Sequence, residues 1–310
     1  ANAINLDAEI LVILESTVFP GLTNELFAPE ILSYIPKKYL SKHKIRFGYS
    51  PERVSPGRDS KNFKEIIKII SADDSDTLNI VDWIYKECLK CETYRASKIE
   101  VAEAAKLLEN TQRDLNIALI NECVHVFSRM NICTNDVIDA AATKWNFMEV
   151  RPGLVGGHCI GVDPYYLTYK AMEVGYHPEI ILAGRKINDE MPKYIARKFS
   201  EKIKKLPTKE KKKILLMGVT FKENCPDIRN SKVVDLIREL ESWSVKVKVV
   251  DPRANPDEAK SEYGINLVNF ETLTGMSAII VSVGHAEFRD MDIEDFRTIC
   301  ISNKPVFGDL

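Results

Sequence analysis

Between Ser97 and Arg129 the chain contains neither glycine nor proline. Apolar residues recur through that stretch at helical spacing, at Val101, Ala105, Leu108, Leu115, Leu119 and Val126. The span makes roughly nine turns at ~3.6 residues per turn. A helix this long joins domains or forms a dimer seam. The rest of the chain must be organised on either side of it.

In front of that helix, Glu9–Ser16 (EILVILES) reads as a buried strand of an α/β sheet, with Thr17–Gly21 as the loop at its carboxyl end. Ile45–Tyr49, Ile66–Ser71 and Glu92–Arg95 are further strands, and a helix fits between Ser75 and Leu89. These elements make half of a doubly wound sheet. Behind the long helix, Thr134 is placed to cap a short helix, and the glycine-rich stretch Arg151–Val162 must be a loop. Two more helices fit Pro164–Val174 and Pro178–Lys204, followed by a charged surface linker at Lys204–Lys213. A second α/β unit then begins. Ile214–Val219, Val245–Val250, Ala278–Val283 and Val306–Asp309 read as strands and Ser231–Leu240 as a helix, an alternation that argues for a parallel sheet.

Composition narrows the function classes. A chain of 310 residues with 45% hydrophobic content can fill two or three cores. Its 43 basic and 45 acidic residues leave a net charge of −2, which gives no footprint for nucleic acid or an anionic membrane. No apolar run approaches the ~20 residues that span a bilayer, and no charged-then-apolar leader stands at Ala1. Seven cysteines at irregular spacing do not suggest a disulfide framework. Reduced thiols and a cytoplasmic location are expected.

The strongest local signal is PGLVGGHCIGVDP at Pro152–Pro164. Four glycines surround Cys159, and Asp163 follows four positions later. Glycines let backbone N–H groups crowd a phosphate or a sugar. A cysteine at the start of the next helix would have its thiolate favoured by the helix dipole. The same spacing equally suits an inert thiol packed in a glycine turn. Ser16 and Thr17 stand at a strand's carboxyl end, where doubly wound sheets bind ligands, or they cap the following helix. YSPER at Tyr49–Arg53 puts Glu52 and Arg53 after another strand, as site residues or as an exposed ion pair. Lys106, Asn110 and Arg113 lie at i, i+4 and i+7 of the long helix, as an anion-binding stripe or a solvated face. Phe221, Lys222 and Arg229 follow the strand that opens the second unit. Cys88 and Cys91 form a lone CxxC, better suited to packing than to zinc, so no metal is expected. His158 beside the cysteine could serve as a base, though such a histidine is more often structural. Cys225 has no evident base among its neighbours.

Taken in order, ESTVFPG at 15–21, YSPERVSPG at 49–57, EAAKLLENTQRDLNIALINE at 103–122, RPGLVGGHCIGVDPYYL at 151–167 and GVTFKENCPDIRNSKVVDL at 218–236 resemble the UDP-glucose and UDP-N-acetylhexosamine 6-dehydrogenase family. TKWNF and GYHPEIILAGR add a likeness to the branch acting on UDP-N-acetylglucosamine or UDP-N-acetylgalactosamine in surface-polysaccharide synthesis. The resemblance implies a four-electron oxidation of the sugar's 6-hydroxymethyl group to a carboxylate, with NAD as cofactor. It makes Cys159 the nucleophile and has Lys106 and Asn110 stabilise an oxyanion. Asp163 and Thr17 would handle protons, and Glu52 would assist hydrolysis. It places Arg53, Val54, Arg113, Gly153, Gly156, Phe221 and Lys222 on the substrate, and Thr17, Val162 and Arg229 at the cofactor. The implied fold is α/β in three parts. A partial Rossmann-type NAD-binding domain covers 1–95, a central helical domain with the cysteine loop 96–206, and a Rossmann-like UDP-binding domain 207–310. A homodimer through the long helix is implied as well.

The family opens with a strand–GxGxxG–helix unit that grips the NAD pyrophosphate. No GxGxxG occurs in this sequence. The expectation is therefore an amino-terminally incomplete cofactor domain and a shortened carboxyl-terminal one. The competing expectation is a nucleotide-sugar-binding protein, or an inactive fragment, without the cofactor half. A cysteine hydrolase using His158 and a plain alcohol dehydrogenase needing no thiol are the further rivals.

Overall fold

The computed structural model of the chain describes residues 9–40, 45–54, 63–206, 212–301 and 305–310. The end of the YSPERVSPG segment with Arg58, and residues 207–211 of the expected linker, lie outside the described residues. In chain order, β1 (Ile10–Leu14) is followed by a π-helical turn (Thr23–Phe27), α1 (Ala28–Ser33), α2 (Lys37–Leu40), β2 (Ile45–Tyr49), β3 (Lys68–Ala72), α3 (Ser75–Leu89) and β4 (Thr93–Arg95). The long helix α4 (Ile99–Met130) leads to α5 (Thr134–Ala142), α6 (Asp163–Glu173) and α7 (Glu179–Lys204). The remainder is β5 (Lys213–Met217), α8 (Lys232–Ser242), β6 (Lys246–Val250), α9 (Pro256–Tyr263), β7 (Ala278–Val281), α10 (Ala286–Arg289), α11 (Ile293–Ile299) and β8 (Val306–Asp309).

The chain forms two compact units. One comprises Ala1–Gln112 and Val162–Ile181, the other Arg113–Gly161 and Leu182–Leu310. The first holds a sheet ordered β1-β2-β3-β4. β1 pairs parallel with β2, β2 antiparallel with β3, and β3 parallel with β4. The carboxyl ends of β1 and β2 thus share one edge, and the loops at 15–21 and 50–54 leave the sheet there. β1 is half-buried along its length rather than buried, because β2 is its one partner among the described strands. Tyr49, Ile69, Ile99 and Ala102 fill one core, and Ile70, Val81 and Tyr85 another. Asp74 caps α3 by accepting from the Thr77 N–H at 2.8 Å, and Lys90 ends it with a left-handed φ of 54°.

The second unit is an all-parallel sheet ordered β6-β5-β7-β8. Alternate residues of its central strands serve opposite faces, as the period of two requires. Ile214 and Leu216 pack with Leu236, Ile237 and Leu240 of α8, while Leu215 and Met217 pack with Phe288 and Ile299. Covering both faces explains why β5 and β7 read as unbroken apolar runs. The chain leaves β5 toward β6 on one side and returns to β7 on the other. A crevice therefore opens between the carboxyl ends of β5 and β7.

One local expectation is corrected. Cys133, not Thr134, occupies the N-cap position of α5, and it makes no side-chain capping bond. The apolar residues that mark α4 in sequence are largely its outer face, with Leu108 64% and Leu119 59% exposed. Its buried face carries Ala102, Glu103, Lys106, Leu107, Asp114, Ala118 and Asn121.

Candidate active site

The glycine-rich loop lies in the second unit and is held at two points. Asn121 of α4 accepts from the Gly153 N–H at 3.0 Å and donates to the Gly153 carbonyl at 3.0 Å. Its amide also donates to Asn188 Oδ1 at 2.9 Å, and Asn188 donates to Asp114 Oδ1 at 2.7 Å. Arg185 completes the chain of contacts with a 2.6 Å bond to the same Asp114 oxygen. All four side chains are buried. Burial pushes the Asp114 carboxyl above its usual range, against the pull of Arg185 and Asn188. Its second oxygen is buried with no hydrogen-bond partner.

Four residues further on, the Gly157 N–H donates to the Asn230 carbonyl at 3.0 Å, and Asn230 Nδ2 donates back to the Gly157 carbonyl at 2.8 Å. Gly157 has φ +83°, and a Cβ there would lie 2.8 Å from the Phe221 ring. At Gly156 a Cβ would meet the Asn230 carbonyl at 2.6 Å. These two glycines are therefore required by close approach to the segment after β5. Cys159 follows in an exposed turn. It stands ahead of α6, not in its first turn, so the expected dipole effect falls on Asp163 instead. His158 is 3.7 Å from Asp227 and exposed, which suits a surface contact.

Gly153, Gly156, Thr220, Phe221, Lys222, Ser231 and Lys232 line a cavity of about 200 Å³ at the crevice between β5 and β7. The first turn of α8 faces it, with Ser231 capping that helix. Lys232 pairs with Asp189 and Asp235, both at 3.1 Å. Burial draws its ammonium down, but those carboxylates outweigh it and hold the pKa above its ordinary value. His285 is wholly buried behind the loop at 220–227. The Asn224 N–H donates to its Nδ1 at 3.0 Å, so Nε2 carries the hydrogen and faces Asp251 at 3.2 Å. Arg229 folds onto Asp227 with bonds of 2.9 and 2.7 Å and is otherwise exposed.

In the first unit, Lys106 and Asn110 meet Asp163 at the start of α6. The Asn110 amide donates to Asp163 at 2.5 Å. Asp163 is 2% exposed and Lys106 8%, so the stripe is no solvated face at those positions. Burial raises the Asp163 carboxyl pKa, opposed by the Asn110 bond and the Lys106 charge. The Tyr49 hydroxyl is buried without a partner. Its pKa rises through burial and the nearby charges of Glu103 and Asp163. Arg113 is exposed. Thr17 is half-buried after β1 and caps no helix; Glu103 of α4 does that work from a distance. It accepts from the Gly21 N–H at 2.6 Å, the Thr23 N–H at 3.0 Å and the Thr23 hydroxyl at 2.5 Å. Glu52 is exposed and accepts from the Val54 N–H at 2.6 Å. Arg53 pairs with Glu109 at 2.7 Å, not with Glu52, and donates to the Ile67 carbonyl. Val54 is half-buried beside them.

Residues 100–190 match the central domain of the UDP-glucose/GDP-mannose dehydrogenase family, and residues 215–310 match its UDP binding domain. The chain belongs to the UDP-glucose/GDP-mannose dehydrogenase family. It is 48% identical over 290 residues to the UDP-N-acetyl-D-glucosamine 6-dehydrogenase of Pseudomonas aeruginosa, covering 93% of this chain and 68% of that protein. Protein CapL of Staphylococcus aureus is 45% identical over 283 residues, with 91% of this chain and 66% of the relative covered. The chain thus spans about two thirds of the length of these relatives. Among solved structures, the UDP-N-acetyl-mannosamine dehydrogenase Cap5O from S. aureus aligns with a TM-score of 0.78 at 26% identity, over 96% of this chain and 71% of that one.

Of the residues that the family likeness assigns to a nicotinamide cofactor, Thr17 and Val162 lie in the first unit and Arg229 in the second. Thr17 stands at the shared carboxyl edge of β1 and β2. Val162 opens α6, and Arg229 is a cation already neutralised by Asp227. The glycine turn that would seat the pyrophosphate is not in the sequence. No group of three or more His, Cys, Asp or Glu among the described residues could hold a metal ion. No helix among them is long and apolar enough to cross a membrane. Glu103, Asn121, Asn188 and Asn230 escape the sequence reading. Only Asn230 left a signal, an Asn ahead of a Ser N-cap, where a left-handed turn is common.

Proposed function

We propose that the protein oxidises the 6-hydroxymethyl group of a UDP-N-acetylhexosamine to the uronic acid, for surface-polysaccharide synthesis. The observation that carries this reading is the cavity of the second unit. Two glycines of the thiol loop, Gly153 and Gly156, share it with Lys222 and the first turn of α8. A nucleotide diphosphate suits that helix start and lysine. Its sugar would then extend along the loop that carries Cys159. Phe221 offers a ring for stacking, and Arg53, Val54 and Arg113 are assigned to the substrate by the family likeness.

NAD, when bound, would supply the hydride acceptor for both oxidations. In the first, the C6 alcohol loses a hydride and its hydroxyl proton to give an aldehyde. The Cys159 thiolate adds to that carbon, forming a C–S bond and a thiohemiacetal. Lys106 and the second N–H of the Asn110 amide stabilise the charge on O6. Loss of a second hydride and the hydroxyl proton leaves a thioester. Water then adds, the C–S bond breaks, and the carboxylate leaves with the thiolate restored. Asp163, whose burial favours proton uptake, takes protons with Thr17 through an ordered water. Glu52 directs the hydrolytic water. The exposed Leu108 and Leu119 on α4 support a homodimer built on that helix.

The test supplies the purified chain with UDP-N-acetylglucosamine and NAD⁺ and follows NADH and uronate. Two NADH per uronate are expected, with little uronate from Cys159→Ser. Tight binding of the sugar nucleotide with no NADH would overturn the reading as an oxidation.

A further inference from the structure

Two asparagines each make a reciprocal pair of hydrogen bonds with a glycine of the thiol loop, Asn121 through its side chain alone and Asn230 through its side chain and its backbone carbonyl. Asn121 exchanges a donor and an acceptor with the Gly153 peptide groups, both at 3.0 Å. Asn230 exchanges them with Gly157 at 3.0 and 2.8 Å. A reciprocal pair fixes the orientation of a residue as well as its position. Cys159 lies two residues beyond the second clasp. A loop with glycine at 153, 156, 157 and 161 would otherwise sample many backbone states.

Neither clasp can turn easily. Asn188 takes an N–H of the Asn121 amide, and Asn188 is itself tied to Asp114. Asn230 sits at φ 52°, and its own N–H donates to the Tyr263 hydroxyl at 3.1 Å. We propose that Asn121 and Asn230 are positioning residues for the Cys159 thiol, acting through Gly153 and Gly157. This rests on the reading of Cys159 as the nucleophile, and it deepens that reading by saying what aims the sulfur.

The test is the pH profile of iodoacetamide alkylation, read peptide by peptide in the full chain, Asn230→Gly and Asn121→Ala. Glycine at 230 suits the positive φ and keeps the carbonyl, so only the side-chain bond is lost. Buried Cys225, in the same unit as the loop, reports on its fold, and exposed Cys133 serves as the reactivity standard. In the wild type the Cys159 profile should differ from that of Cys133. In Asn230→Gly it should relax toward Cys133 by about fivefold in rate, the equivalent of one net hydrogen bond, with Cys225 still protected. Turnover should lose kcat with the KM for UDP-N-acetylglucosamine within about twofold. A Cys159 profile unchanged in Asn230→Gly overturns the proposal, as does a raised KM at constant kcat. Should Asn121→Ala fail to fold, Asn230→Gly decides alone. Alkylation needs no turnover, so full uronate production by Cys159→Ser would overturn the nucleophile reading while the clasps are still judged by their own readout.

Discussion

The side-chain amide of Asn110 donates a 2.5 Å hydrogen bond to Asp163, a carboxylate 2% exposed. Burial raises the pKa of that carboxyl in the folded protein. The native state therefore holds the proton more tightly than the unfolded chain does. Its contribution to stability is full below the unfolded pKa and lost as pH rises through the folded one. Asp163→Asn should melt higher than wild type at pH 7, and the gap should close toward pH 3. Thermal melts at the two pH values check the sign. Turnover in the variant should fall by about 10² or more.

Cys159→Ser separates the two oxidations. Loss of the sulfur should lower uronate formation on the order of 10³-fold, because no thioester forms. Binding of the sugar nucleotide should stay within about twofold. Product analysis and equilibrium dialysis measure the two quantities.

Gly157→Ala tests the seat of the thiol loop. The residue has φ +83°, and its new Cβ would sit 2.8 Å from the Phe221 ring. Backbone strain alone costs about 1–2 kcal/mol, and the ring must also move. Activity should drop at least tenfold, and Gly157→Ala with Phe221→Ala should recover only the steric part. Steady-state rates of the single and double variants provide the cycle.

Arg185→Ala removes the partner of a carboxylate that is already short of hydrogen bonds. Breaking a buried pair from one side costs about 3–5 kcal/mol. Urea unfolding should register that loss. Replacing both members of the pair by apolar residues of similar size should cost less.

Much of this architecture can be read from the residues, and the misses are physical. Ile45–Tyr49, Ser75–Leu89 and Val306–Asp309 fall where propensity and punctuation put them. The antiparallel turn of β3 against β2 does not, since a short apolar strand looks the same in either direction. On α4 the period is right, and the apolar residues that show it lie largely on the exposed face. Leu108, Leu119 and Val126 point outward, while Glu103, Lys106, Asp114 and Asn121 are buried. A helix that buries its polar face against site loops defeats a rule built on apolar cores. The same arrangement hides Asn121, whose partners lie 32 and 67 residues away. Cys159 and Asp163 stand four residues apart in one segment, whereas the hydrogen-bond partners of the loop, Asn121 and Asn230, come from distant parts of the chain.

Acid should reach the first unit through Asp82. Burial works against its charge, but bonds from Thr93, Lys86 and Arg95 hold its pKa down at about 2, below the ordinary carboxylate range. That stabilisation is present above the unfolded value and disappears as pH falls through about 2. Asp82→Asn should flatten the stability profile between pH 4 and 2 and weaken the protein at pH 7. Urea midpoints across that range would show it.

The π-helical turn at Thr23–Phe27 sets a length that the segment cannot change. Deleting one residue there would restore regular α-helical hydrogen bonding, a local improvement. It would also rotate everything beyond the deletion by about 100° relative to what precedes it. Gly21 and Thr23 are seated on Glu103, and Glu25 is bonded to Lys170 at 2.7 Å. After such a rotation only one of those moorings could be kept. The extra residue works as a gauge block: substitutions in this stretch can be absorbed, but a change in residue count cannot.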